Sequence, residues 1–169
     1  MRYLTTGLLA IGLLGASAAQ ALTLTSSAFA PGSPIPKLYT CQGQNTSPPL
    51  QWSDIPKNTE AFAIVLRDPD APNKNWIHWV VYNIPLGTTS LPAAYAAKMD
   101  GTLLGKNSWN HDTYDGPCPK AGTHHYRFEI YALDQALYVD NGLTADQLTQ
   151  AMSSHILGMG ALTGSYVMS

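Results

Sequence analysis

Two apolar runs joined by a proline-stiffened acidic corner constrain this chain more than any other feature. Ala61 to Leu66 is unbroken apolar sequence and predicts a buried strand. It runs into Arg67-Asp68-Pro69-Asp70-Ala71-Pro72, and a second apolar run, Trp76 to Ile84, follows. Each proline fixes its own φ, lacks an N–H and pushes the preceding residue out of the helical region. Asp68 and Asp70 are therefore held on a rigid, kinked connection, and His78 lies inside an otherwise apolar strand. Polar groups in such places are costly unless they find partners. The bland alternative is that both aspartates cap backbone N–H groups and His78 is a satisfied core histidine.

The N-terminus carries Arg2, the apolar run Leu8 to Leu14, small residues, and then Ala19-Gln20-Ala21. That is the pattern of a secretory signal peptide over residues 1–21, leaving 22–169 as one domain. The apolar run is too short to span a membrane, and no cysteine near the cut invites a lipid anchor. An exported protein, periplasmic or secreted, without a stable membrane anchor is expected. The net charge is −2, or −3 once Arg2 is removed. Without a basic cluster, nucleic-acid binding has no electrostatic footing. Cys41 and Cys118 are the two cysteines; in an exported protein they can form a disulfide, and two buried thiols are the alternative.

Along the chain, strands are expected at Leu22 to Phe29, Lys37 to Cys41, Leu50 to Trp52, Thr59 to Leu66, Trp76 to Ile84, His124 to Leu133 and Ala161 to Met168. Pro85 to Asp115 reads as a long loop with little regular structure, which suggests a functional segment. In the strand after Gly122, alternation puts His124, Tyr126, Phe128 and Ile130 on one face and His125, Arg127, Glu129 and Tyr131 on the other. Thr144-Ala145-Asp146-Gln147 is a capping box opening an amphipathic helix that should reach about Leu157, ended by Gly158 and Gly160. His155 falls on that helix's apolar stripe as a packed histidine. Many strands and one clear helix make a mainly-β domain.

The chemistry-bearing group is Asp68, Asp70, His78, His124 and Tyr126, each at a strand end or beside an apolar run. Imidazoles and a phenol can donate to phosphate oxygens, and a carboxylate can accept from an ammonium or hydroxyl. Gly116-Pro117 and Gly122 would let backbone approach a ligand. Read as catalysis, two histidines and an aspartate could hold a metal with an open position, but no metal-site spacing is present. A serine hydrolase would need a poised nucleophile. No G-x-S-x-G occurs, and Ser47 or Ser108 would be arbitrary choices.

These residues lie in stretches that resemble the phosphatidylethanolamine-binding protein family, also called Raf-kinase-inhibitor-like proteins, and its bacterial branch in particular. The stretches are Tyr39-Thr40-Cys41-x-Gly43, Ser47-Pro48-Pro49-Leu50-x-Trp52, Asp68-Pro69-Asp70-Ala71-Pro72, Trp76-x-His78-Trp79-Val80-Val81-x-Asn83-Ile84-Pro85 and Gly105-Lys106-Asn107. Tyr114-x-Gly116-Pro117-Cys118-Pro119, His124-x-Tyr126-x-Phe128 and Leu162-Thr163-Gly164-Ser165-Tyr166 complete them, in order. The resemblance implies a β-sandwich with a large antiparallel sheet, a smaller sheet and one or two peripheral helices. It implies an anion pocket of Asp68, Asp70, His78, His124 and Tyr126 with Gly116-Pro117 as part of its wall. The family binds phosphate-bearing headgroups, phosphorylated residues and small anions, and modulates kinases or proteases; for this chain no cofactor and no metal are expected. The expected function is thus a non-enzymatic small-anion binder. The runner-up is an inhibitor of a protease or kinase acting through a loop such as Pro85 to Asp115, and a metal-assisted hydrolase is a distant third. One departure concerns His125, where the family has arginine: strand parity turns it from the pocket, and a neighbouring ion pair should be lost. The chain also ends soon after Tyr166, without the C-terminal helix of animal members, which should leave the pocket more open.

Overall fold

A computed structural model describes residues 20–96 and 100–168; most of the expected signal peptide lies outside them. Among these residues nine strands form two sheets and one α-helix packs beside them: β1 (Gln20–Ala21), β2 (Thr23–Thr25), β3 (Leu50–Ser53), β4 (Ala61–Asp68), β5 (Trp76–Pro85), β6 (Ser90–Leu91), β7 (Leu103–Leu104), β8 (Thr123–Leu133), α1 (Ala145–Met152) and β9 (Ile156–Val167). The large sheet runs β1-β9-β8-β4-β5-β7 and the small one β2-β3-β6. Pairing is antiparallel throughout, except that β1 joins β9 in parallel at the edge. This is the mainly-β sandwich that the sequence implied.

The centre of the large sheet is buried on both faces. From β4, Phe62, Ile64 and Leu66 pack with Leu24, Leu50, Trp52 and Leu91 of the small sheet. Its Ala63 and Val65 pack with Leu148 and Met152 of α1. A strand covered on both sides has no polar face to show, so its sequence is a solid apolar run rather than an alternation. On β8 the parity holds: Tyr126, Phe128 and Ile130 join the inter-sheet core. On the opposite face Arg67 of β4 lies directly across from Arg127 of β8. Like charges in register repel, and Glu129 resolves the conflict. Its carboxylate accepts from Arg67 Nε (2.9 Å), Arg127 Nε (3.0 Å) and Tyr131 Oη (2.8 Å).

Several local expectations need correction. Lys37 to Cys41 is not a strand; Lys37–Tyr39 is a 3-10 turn set going by Pro36, whose carbonyl accepts from the Tyr39 N–H. The first strand stops at Thr25, because the Ser26 hydroxyl takes the Ala28 N–H and turns the chain. The Pro85 to Asp115 segment contains β6 and β7; two-residue edge strands carry no readable pattern. α1 keeps its capping box, with Thr144 and Gln147 satisfying each other's backbone N–H, but it ends at Met152. Gly158 and Gly160 belong to β9. Gly160 is there because Leu22 crosses so closely that a β-carbon would collide with its carbonyl. His155 lies outside the helix, with Nδ1 paired to Asp134 Oδ1 at 2.8 Å.

Candidate functional site

Asp68 ends β4 and is only 4 % exposed. Its Oδ1 accepts the main-chain N–H of Asp70 (2.9 Å) and of Ala71 (3.0 Å), which closes the proline corner as an aspartate turn. The capping alternative thus holds for this oxygen. The other oxygen does something else: Oδ2 lies 2.8 Å from His124 Nδ1. A carboxylate can only accept, so His124 carries its proton on Nδ1 and leaves Nε2 for another partner.

His78 is placed by an irregularity. Leu66 pairs with Trp79 and Arg67 with Ile77, so His78 is an extra residue in β5, a bulge. Bulges re-aim side chains. Here the bulge turns His78 away from the helix-side cluster that holds Ile77 and Val80. Its Nδ1 lies 2.6 Å from the Asp115 carbonyl, and the Asp115 N–H returns a bond to the His78 carbonyl at 3.0 Å. Burial pushes the imidazole below its ordinary pKa, against smaller opposing effects of the Asp115 carbonyl and the Asp68 charge. Tyr126 is fully buried behind the two histidines. The His78 ring meets it edge-on at 5.2 Å and the His124 ring stacks on it at 6.5 Å. Burial, and then the charge of Asp68, raise its phenol well above the ordinary value.

A cavity of about 580 Å³ opens over this group. Asp68, Asp70, His78 and His124 line it, together with Trp76, Trp109, Ala71, Pro72 and a wall from Cys118 to Ala121 that includes Lys120. The structure therefore gathers the sequence-derived residues at one place, with two differences. Tyr126 lies beneath the cavity rather than on its surface. Gly116 and Pro117 do not line it; they anchor the wall one step further along. The Gly116 N–H donates to Asn45 Oδ1 (2.8 Å), the Pro117 carbonyl accepts from the Cys41 N–H (3.1 Å), and Cys41 and Cys118 are joined by a disulfide. A β-carbon on Gly116 would strike the Tyr39 carbonyl, so the wall can seat only on glycine.

His125 also differs from expectation. It points out of the pocket face, yet its N–H and its Nδ1 both lie 2.7 Å from Asp70 Oδ2. These bonds hold the Asp70 carboxyl below its usual pKa. Where the resemblance led one to expect an ion pair lost with the family arginine, His125 makes a pair of its own with Asp70.

Two contributors escaped the sequence reading. Asn107, 6 % exposed, donates to Asp115 Oδ2 (2.6 Å) and accepts the N–H of Trp109 (2.9 Å) and His111 (3.0 Å). It thereby sets both Trp109 and the carbonyl that holds His78. Asn45, with φ of 55°, clamps the Gly116 turn. Lone asparagines in loops carry no periodic signal; the Gly105-Lys106-Asn107 stretch was the available clue. Among the described residues, no three of His, Cys, Asp and Glu are placed to share a metal ion.

The fold is a two-sheet β-sandwich with an Asp68–His124 pair and a second histidine, His78, on a bulge beneath one cavity. Residues 25–167 match the family model described as phosphatidylethanolamine-binding protein, and the chain belongs to that family. The crystal structure of CT736 of Chlamydia trachomatis, described as a homologue in that family, is 39 % identical, with a TM-score of 0.83 over 89 % of this chain and 99 % of that one. YbcL of E. coli, described as a new member of the mammalian family, is 30 % identical, with a TM-score of 0.81 over 88 % and 99 %. A Mycobacterium tuberculosis protein carried under the lipoprotein name LppC is 40 % identical over 153 residues, 89 % of this chain and 75 % of that one. No helix among the described residues is long and apolar enough to cross a membrane.

Proposed function

We propose that this protein is exported and binds, without catalysis, a small anion or phosphate-bearing headgroup in the cavity above Asp68, His78 and His124. One observation carries the reading: His78 Nε2 and the Tyr126 hydroxyl are both buried and complete no well-formed hydrogen bond within the protein, the hydroxyl having only the Cys118 main chain and the Asp68 carboxylate near it. Orphaned buried polar atoms are costly, and two of them on rings in edge-on contact, one ring lining the cavity, are what a site awaiting a polar ligand needs. The apolar walls, Trp76 and Trp109 above all, suit the ligand's organic part, and Lys120 adds a cation at the same wall.

Calorimetric titration with O-phosphoethanolamine tests this. Tyr126→Phe removes an unpaired hydroxyl, so it should leave stability unchanged or slightly raised while weakening binding by about tenfold; His78→Ala should abolish binding. Absence of binding to the unaltered protein, or binding that survives both substitutions, overturns the reading.

Export rests on the signal pattern of residues 1–21, and the Cys41–Cys118 disulfide fits an oxidising compartment. Cleavage after Ala21 would remove β1 and start the chain at Leu22, whose side chain is buried. Mass spectrometry of protein recovered from the native cells should find Leu22 as the first residue; an intact chain beginning at Met1 would refute cleavage.

A further inference from the structure

Resting on the anion-binding reading above, we infer that the pocket selects an oxyacid ligand that still carries a proton: a phosphate monoester as its monoanion, whose P–O–H donates to His78 Nε2. An equally charged sulfate ester, which has no such proton, is rejected.

The inference follows from which nitrogen of His78 holds its hydrogen. The Asp115 carbonyl can only accept, so at 2.6 Å it requires a hydrogen on His78 Nδ1. That carbonyl is not free to turn away. The Asp115 N–H is tied back to the His78 carbonyl, and its carboxylate is held by Asn107 Nδ2 (2.6 Å) and paired with His111 Nδ1 (2.9 Å). The bulge in β5 and the 107–115 loop thus lock one tautomer. A neutral imidazole has one N–H, so Nε2 presents a lone pair. The ring is 2 % exposed, lines the cavity, and has Nε2 as its only unsatisfied polar atom.

A lone pair repels a fully ionised oxygen and welcomes an O–H. The charges facing the ring agree in direction. Asp68 from β4 and Asp115 from the loop are carboxylates that act on it electrostatically, and Asp70 lies on the same cavity. They oppose a doubly charged ligand more than a singly charged one. The groups that favour an anion stand elsewhere on the rim: His124 of β8, fixed through Nδ1 by Asp68, and Lys120 of the 118–121 wall. His111 is taken up by Asp115 and His125 by Asp70. The phenol of Tyr126, raised in pKa, stays a neutral donor beneath them. The neutral acceptor Nε2, set among the donors His124, Lys120 and Tyr126 on a cavity that Asp68 and Asp70 also line, fits a group with several acceptor oxygens and one hydroxyl.

The test compares two esters of equal charge and shape at pH 5, where a phosphate monoester, with a second pKa near 6, is a monoanion with one hydroxyl. O-phosphoethanolamine should bind about 10- to 100-fold more tightly than ethanolamine O-sulfate, the factor expected when a buried acceptor is left unpaired. From pH 6 to 8 the phosphate ester should lose this advantage, by up to tenfold per pH unit as its hydroxyl ionises. His124 and Lys120 act on both esters alike, so the ratio isolates the proton. Nitrogen-15 NMR of the unaltered protein supplies a readout independent of substitution: His78 should keep its hydrogen on Nδ1 and remain singly protonated when O-phosphoethanolamine binds. Equal binding of both esters, or a doubly protonated His78 in the complex, overturns the inference and leaves the anion pocket standing. Binding of neither ester overturns the pocket as well.

Discussion

Reduction of the Cys41–Cys118 disulfide is expected to remove about 4.5 kcal/mol of stability by the chain-entropy relation, with its 77-residue separation as loop length. For a domain of this size that corresponds to a fall of roughly 10–15 °C in melting temperature. The bond does more than close a loop. Cys118 opens the cavity wall, while Cys41 follows the 3-10 turn of Lys37–Tyr39 on which Gly116 and Pro117 seat. Reduction leaves the Cys41 N–H to Pro117 and Gly116 N–H to Asn45 bonds in place, so the fold should persist in water while the 118–121 wall loosens and ligand affinity falls. Thiol counting in denaturant should find no free thiol before reduction and two after it. The urea midpoint of the reduced protein should drop, with binding of O-phosphoethanolamine weakened. Two free thiols in untreated protein, or an unchanged midpoint, would contradict this account.

What the sequence revealed about this site, and what it hid, divides along a physical line. Strand β4 announces itself because burial on both faces leaves an unbroken apolar run, and β8 because one polar face alternates with one core face. Residues whose direction follows from that parity, such as Tyr126 inward and His125 outward, were placed correctly by counting. His78 was legible as an odd residue in an apolar strand, but its direction was not. Its bulge exists only in the pairing of β5 with β4, and no single strand records the register of its partner. Asn107 and Asn45 were hidden for a related reason. Asn45 works through a bond to the distant Gly116 N–H and Asn107 through bonds within its own loop, and at either position any polar residue would look the same. Parity also leaves unsaid what His125 touches once it points outward. Its imidazole, one residue from Tyr126, reaches Asp70 across the proline corner.

Two substitutions at Asp68 should separate its structural from its site role. Asp68→Ala removes the acceptor of two main-chain N–H groups and of His124 at a position 4 % exposed. Orphaning these donors should cost about 3 kcal/mol or more, because the cost of a buried unpaired group exceeds the net worth of the bond it lost. Asp68→Asn behaves differently. Its amide oxygen can occupy the Oδ1 position and keep the Asp70 and Ala71 N–H bonds, so the proline corner survives at a cost of about 1 kcal/mol. Its amide nitrogen then faces His124 Nδ1, and two donors cannot meet there. The imidazole must move its hydrogen to Nε2, which reverses what it offers to the cavity. Urea unfolding should therefore rank Asp68→Asn close to the parent and Asp68→Ala well below it. Nitrogen-15 NMR should show the His124 hydrogen on Nδ1 in the parent and on Nε2 in Asp68→Asn. If the asparagine variant is as unstable as the alanine one, the turn needs the charge itself. If His124 keeps its Nδ1 hydrogen beside an amide, Asp68 is not what orients it, and the carboxylate is only a cap for its own corner.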